Sequence, residues 1–352
     1  VAIVGTSTWQ VMKARKLLKV EYEIDGSNLL ENSSDHDRRF KEMLDSPEAV
    51  VRRKDGDVTT AFSQAAKVIT REYQCPFLSH SPMEPMNFFA HVRPDGVELI
   101  GPTQTPDLAR NEVAKLLNVS ADSITVDITR LGGGFGRRLK ADYVLEAAEL
   151  SSLIRKPVKV IWSREDDMTG GSYRPAVRYR FSAALDGAGN LIGYKLRGVG
   201  INTANSTRED NFPSGAVDHL LIDSVEYKSP ITVGAWRAPI TNFLAFAEQS
   251  FLDEVATASG KDPIRFRLEL LEKAKKSPVG AIKYDIDRMM GVIKLAQEKS
   301  GWGRKDVSQG FSVYVSHRSY VAQVADVARE QNRPVICKSH SGIICRVVIN
   351  GA

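Results

Sequence analysis

Residues 132–138 read Gly-Gly-Gly-Phe-Gly-Arg-Arg, four glycines in five positions followed by two arginines. Fixing glycine costs more backbone entropy than fixing any other residue, so a cluster this dense implies a task for the backbone itself. Its neighbours narrow that task. Ile124, Val126 and Ile128 alternate with polar residues into a strand that runs straight into the glycines. After them, Tyr143, Val144, Ala147, Ala148, Leu150, Leu153 and Ile154 recur at helical spacing. Strand, glycine cluster and helix together gather several N–H groups at one point, a nest that attracts anions and lets a bulky ligand touch the main chain. Two familiar phosphate patterns fail on spacing. A phosphate loop needs Gly-x-x-x-x-Gly-Lys-Ser/Thr, and here Arg137-Arg138-Leu139 follows the last glycine; the dinucleotide fingerprint needs glycine at its sixth position, which is Arg137. The plainer alternative is a tight surface turn with basic flanks.

Elements on either side mix strands and helices without a regular βαβ beat, which predicts an α+β fold of mixed sheets and packed helices. Residues 1–24 suggest a strand–helix–strand unit, the end of an N-terminal α/β domain, with Thr8 placed to cap a helix carrying Trp9, Met12, Leu17 and Leu18. Residues 25–57 suggest a polar connecting segment with a short helix over 37–44. Residues 58–170 form the first part of the main domain, with strands near 68–73, 97–100, 124–128 and 158–162 and a helix opening at Thr105-Pro106. Residues 171–352 form a second α+β part. There Asp186-Gly187-Ala188-Gly189-Asn190 predicts a hairpin between 179–184 and 191–199, and helices are expected over 243–259, 264–274 and 285–299, followed by strands at 311–315 and 320–327. The chain opens on Val1-Ala2-Ile3-Val4 and closes as abruptly, so it is expected to be cut from something longer.

Composition excludes several classes. The 48 basic residues are nearly matched by 43 acidic ones, and no basic tail or track occurs, so no nucleic-acid partner is expected. Cys75, Cys337 and Cys345 are too few and too scattered for a disulfide framework or for an iron–sulfur or zinc quartet, and no metal-ligating side chains are expected. No run of about 18 apolar residues occurs to span a bilayer.

Three further stretches have the marks of a ligand site. Ser81-Pro82-Met83-Glu84-Pro85-Met86-Asn87 is a proline-bounded loop with one carboxylate; Gly101-Pro102-Thr103-Gln104-Thr105-Pro106 leaves the Gln104 amide projecting between strand and helix; Gly234-Ala235-Trp236-Arg237-Ala238-Pro239 sets an arginine beside a tryptophan. Each also has a plainer reading: a surface carboxylate, a turn amide, the partner of a nearby acid. Together with Trp162-Ser163-Arg164-Glu165-Asp166, Glu248 to Glu254, Gly260-Lys261-Asp262-Pro263-Ile264-Arg265-Phe266-Arg267 and His317 to Ala325, they occur in an order that resembles the molybdenum hydroxylases, the xanthine dehydrogenase and aldehyde oxidoreductase family. Within it the chain is most similar to the molybdopterin-binding large subunit of the isoquinoline 1-oxidoreductase type and to bacterial membrane-associated aldehyde dehydrogenases. The resemblance covers nearly all of residues 1–327, and residues 328–352 fit the family pattern less well.

That resemblance implies a fragment of a subunit that holds molybdenum through molybdopterin, in its cytosine dinucleotide form, with iron–sulfur clusters on a small partner subunit. It implies oxidation of an N-heteroaromatic or aldehyde substrate with water-derived oxygen. Carried over by motif, Gln104 and Arg237 are the catalytic residues, and Gly132, Gly133, Gly134, Phe135, Gly136 and Arg137 bind cofactor. Arg138 and Leu139 stand where the xanthine dehydrogenase branch has lysine and glutamate, which points away from purines. The family's essential glutamate, in a Gly-x-Gly-Glu motif, has no counterpart here. The isolated chain is therefore expected to be apo, inactive and self-associating as a homo-oligomer, and the alternative function is a non-catalytic scaffold or partner-binding module. A periplasmic or membrane-associated location follows from the resemblance, with the cytoplasm as the alternative.

Overall fold

The computed structural model describes residues 2–21, 23, 31–330 and 333–339. The chain divides into two compact units, Val1–Arg39 and Phe40–Ala352. In the first, helix α1 (Thr8–Arg15) is capped by Ser7, whose Oγ accepts from Gln10 N at 3.3 Å. Thr8, the expected cap, is already helical; Ser7 holds the extended conformation that aims a hydroxyl at a free N–H. None of α1 is buried, and Leu17 and Leu18 lie beyond its C-cap Lys16. Residues 2–4, 19–21 and 23 form no strand, and Tyr22 and Ile24 fall outside the described residues.

Helix α2 (Ser33–Leu44) starts earlier than the expected 37–44 because Asn32 Oδ1 accepts from both Ser34 N and Asp35 N at 3.0 Å. The chain continues through β1 (Val50–Asp55), α3 (Val58–Ser63), β2 (Lys67–Cys75), β3 (Asn87–Arg93), β4 (Gly96–Gly101), α4 (Pro106–Leu117), β5 (Ile124–Ile128), α5 (Asp142–Ile154), β6 (Val158–Ile161) and α6 (Arg164–Thr169). It ends with β7 (Val177–Leu185), β8 (Leu191–Ile201), β9 (His219–Tyr227), α7 (Thr241–Ala258), α8 (Pro263–Lys276), α9 (Ile286–Ser300), β10 (Ser308–Ser316), β11 (Ser319–Glu330) and β12 (Arg333–Ser339). Among the described residues the strands form three sheets, ordered β1-β9-β8-β7-β2, β5-β4-β3-β6 and β10-β11-β12. Among the described strand pairs only β4–β5 and β8–β9 are parallel, so the fold is α+β rather than doubly wound.

Two expectations about organisation change. Residues 50–55 are an edge strand paired with β9, not part of a connecting segment. Val50-Val51-Arg52-Arg53 lacks the alternation that marks a half-buried strand; its place is set by backbone pairing and by its arginines, with Arg53 reaching the carbonyls of Val279 and Ala281 at 2.9 and 2.8 Å. The boundary expected at 170 is crossed by β2, which pairs with β7 from Lys67↔Leu185 to Cys75↔Val177.

The larger core packs α7 on β2, β7 and β10 and α9 on β10 and β11, with α8 between the two helices and Phe181 stacked on Phe251 at 5.1 Å between ring centroids. A second core, Phe88, Leu99, Val113, Tyr143, Val144 and Ala147 among its members, joins β3 and β4 to α4 and α5. Glu248 on α7 lies inside the larger core at 1% exposure, accepting from the Tyr314 hydroxyl at 2.7 Å. Burial pushes its carboxyl up to about 8, against the opposing hydrogen bonds from Tyr314 and Asn211. The folded state thus holds a proton that the unfolded chain releases at 4.5, so stability should fall as pH rises between those two values, by on the order of 1 kcal/mol per pH unit. Glu248→Gln removes the titration, and urea midpoints measured across this window should lose the slope. An unchanged slope in the variant would show that Glu248 is not its source.

Candidate active site

The glycine cluster follows β5 and is separated from α5 by a 3₁₀ turn, Arg137–Leu139, rather than opening that helix directly. Gly136 takes φ +105, and a Cβ there would stand 2.0 Å from the Ala235 carbonyl oxygen, so only glycine lets these two loops touch. At Gly134 a Cβ would fall 2.6 Å from Gln104 Oε1. Phe135 sits at φ +54 with its ring 44% exposed.

Gln104 comes from the turn between β4 and α4. Its Oε1 accepts from Gly136 N at 3.1 Å, and since that N–H needs an acceptor, the amide NH2 is turned outward as a donor. Its main-chain N donates to Arg138 O at 3.0 Å. Thr105, expected to cap α4, makes no cap bond; its hydroxyl donates to Leu139 O at 3.1 Å and so ties the helix start to the 3₁₀ turn. From the third loop, Arg237 N donates to Phe135 O at 2.7 Å. The Arg237 side chain is exposed, and two strained residues follow, Ala238 at φ 57 and Ile240 at φ 66. Gln104, the glycines, Phe135 and Arg237 are thus brought together by direct contact.

Arg137 is not at that surface. Its guanidinium is buried, doubly bonded to Asp142 at 2.8 and 2.7 Å, and lies over the Trp162 ring at 5.2 Å. It braces the loop from behind, and its main-chain N–H is spent on Gly134 O at 2.8 Å. Arg138, read from the sequence as a marker of substrate preference, is also fully buried, with its Nη2 on Glu84 Oε2 at 3.1 Å. Glu84 is likewise no idle surface carboxylate, because it accepts from Gly132 N at 2.9 Å and from Asn87 Nδ2 at 2.9 Å. Burial alone would raise its pKa; the Asn87 and Gly132 hydrogen bonds and the Arg138 charge outweigh burial and hold it below the usual carboxylate range. His80 carried no sequence signal. Its ring nitrogens face Ser172 O at 3.1 Å and Ala235 O at 2.8 Å, and burial lowers its pKa.

The N–H groups of Gly133, Gly134 and Phe135 donate to no acceptor among the described residues, although Gly134 is buried. With the outward Gln104 amide these unused N–H groups place in one loop cluster donors of the kind an anionic oxygen accepts from. Among the described residues no three His, Cys, Asp or Glu side chains group as metal ligands, so this donor set suits an oxyanion or a metal already carried by a cofactor, not a bare cation. Molybdopterin, with oxygen ligands on its metal, fits it.

A model of the molybdopterin cofactor-binding domain family matches residues 42–271. The chain belongs to that family. It is 30% identical to the membrane-bound aldehyde dehydrogenase (pyrroloquinoline-quinone) of Gluconacetobacter polyoxogenes, over 89% of its own length and 44% of the relative's. It is 28% identical to the beta subunit of isoquinoline 1-oxidoreductase of Brevundimonas diminuta, over 99% and 46%. Its fold resembles that of quinoline 2-oxidoreductase from Pseudomonas putida 86, with TM-score 0.67 at 20% identity over 88% of this chain and 44% of that one. The chain therefore spans about half the length of these relatives. No helix among its described residues is long and apolar enough to cross a membrane.

Proposed function

We propose that this chain supplies one wall of the active site of a molybdenum hydroxylase that oxidises an N-heteroaromatic or aldehyde substrate with oxygen derived from water. The observation that carries the reading is the contact of three loops, in which Gln104 Oε1 accepts from Gly136 N and Arg237 N donates to Phe135 O beside the unused N–H groups of 133–135. Molybdopterin, in its cytosine dinucleotide form, supplies the two-electron redox chemistry when bound, and the electrons leave to iron–sulfur clusters on a small partner subunit. The Gln104 NH2 and the loop N–H groups hold an oxygen by donating to it. The Phe135 ring offers an apolar face against which a flat substrate is oriented. Arg237, with a free guanidinium, opposes negative charge that grows as the substrate is attacked. The base is not among these residues. Because both guanidinium groups of Arg137-Arg138 are buried, the preference against purines rests on the missing lysine and glutamate alone.

The test uses the full-length protein with its partners. Stoichiometric molybdenum and pterin are expected, with turnover of isoquinoline or an aldehyde above that of xanthine. Gln104→Ala should lower kcat by roughly 100-fold while leaving the melting temperature close to wild type. Absence of molybdenum from the complete assembly would sink the reading in favour of a non-catalytic scaffold, and xanthine as best substrate would overturn the substrate order. The isolated chain is proposed to be apo, because half a cavity leaves most of a pterin in water.

A further inference from the structure

We propose that Arg138 and Glu84 form a positioning pair that sets the spacing between the Gln104 amide and the backbone donors of the glycine loop. The second arginine of the motif thus acts through the loop, not on the substrate. This rests on the reading of the site above. Arg138 reaches three segments at once. Its Nε donates to Gly133 O at 2.9 Å, its Nη1 to Pro102 O at 3.3 Å, and its Nη2 to Glu84 O at 2.9 Å and Glu84 Oε2 at 3.1 Å. Its own carbonyl accepts from Gln104 N at 3.0 Å and from the Thr103 hydroxyl at 3.4 Å. One residue therefore grips the glycine loop with its side chain and both sides of the Gln104 turn with side chain and main chain together.

Glu84 completes the device. It neutralises a guanidinium that has no exposure to solvent, and with the same Oε2 accepts from Gly132 N, while its own N donates to Gly132 O at 3.1 Å. A buried cation needs such a partner. The planar fork of arginine matches these divergent oxygen acceptors on three segments, which the single ammonium of lysine does not. Tyr143 closes the arrangement from α5, its hydroxyl on the same Pro102 carbonyl at 2.8 Å and its ring 5.8 Å from Arg138.

The experiment compares Glu84→Gln and Arg138→Lys in the full-length protein by amide hydrogen exchange and by steady-state kinetics. Both variants should raise exchange of the Gly132 and Gly136 amides, the two in the loop that have acceptors, about tenfold while α5 and α7 keep their protection. Both should lower kcat about tenfold with KM within twofold, since the spacing is used on the reacting atoms and not on substrate affinity. In the wild type, loop exchange corrected for intrinsic rate should rise as pH falls through protonation of Glu84, and Glu84→Gln should lack that rise. Unchanged loop exchange in both variants would overturn the proposal, as would a raised KM with kcat intact, the sign of direct substrate contact. Should Arg138→Lys fail to fold, the milder Glu84→Gln decides. Exchange reports whether or not molybdenum is bound, so failure of the cofactor reading and failure of the positioning pair are told apart.

Discussion

Replacing Arg267 with alanine is expected to lower the stability of the larger unit by about 3–5 kcal/mol, the scale on which removing one member of a buried ion pair destabilises a domain. Arg267 is wholly buried on α8. Its Nη1 lies 2.7 Å from Asp253 Oδ1, its Nη2 donates to Gln249 O at 3.0 Å, and its Nε donates to Gln249 Oε1 at 3.1 Å. The same Gln249 Oε1 accepts from Val313 N at 3.2 Å, so one guanidinium ties α7, α8 and β10 together. Alanine takes one donor from each Gln249 oxygen and the counter-charge from Asp253. Burial already raises the Asp253 pKa, with Arg267 pulling the other way. Without Arg267 that carboxyl should titrate higher still. Urea unfolding measures the loss, and a change below about 1 kcal/mol would mean that the network is replaceable. Pairing Arg267→Met with Asp253→Leu, which removes both charges, should recover much of it.

Gly136→Ala is expected to abolish the site while sparing the fold around it. The new Cβ would lie 2.0 Å from a carbonyl oxygen that cannot rotate away, at a φ of +105 that alanine disfavours. Backbone strain of this kind costs roughly 1–3 kcal/mol, less than the loop would need to unfold the unit. The loop moves instead, and the Gly136 N–H leaves Gln104. In the full-length protein the expected result is loss of molybdenum and a fall in turnover of more than about 100-fold, with α5 and α7 still protected from exchange. Gly187→Ala is the control: a Cβ there meets nothing within 4 Å, and both readouts should stay at wild type. Activity within twofold in Gly136→Ala would remove the close contact with Ala235 from the argument.

Much of this was legible in the chain itself, and the legible parts share a cause. The hairpin at Asp186–Asn190, the helix stopped by Gly260, the helix opened by Pro106 and the strand that runs into the glycines are each decided by local rules of periodicity, capping and turn chemistry, and all four formed. Glycines whose backbone must touch another loop announce themselves, because nothing else fits there. The motifs around Gln104 and Arg237 were equally visible, but only as residues with a plainer reading beside them.

What the tertiary structure alone decided is which polar groups look outward and which are used up inside. Arg137 and Arg138 are adjacent and equally basic; the fold buries both, one on Asp142 and the other between Glu84 and three carbonyl oxygens. Burial of that kind depends on partners 5 to 54 positions away, and no local pattern records it. The same holds for β1, whose residues lack alternation and whose strand exists because β9 offers it a ladder, and for His80, whose two carbonyl partners come from loops 92 and 155 residues distant. Local conformation is encoded where it occurs, because short-range sterics and capping depend on neighbours in sequence. The assignment of a charge to scaffold or to ligand belongs to the assembled structure, because desolvation and long-range pairing exist only once the distant segments have met.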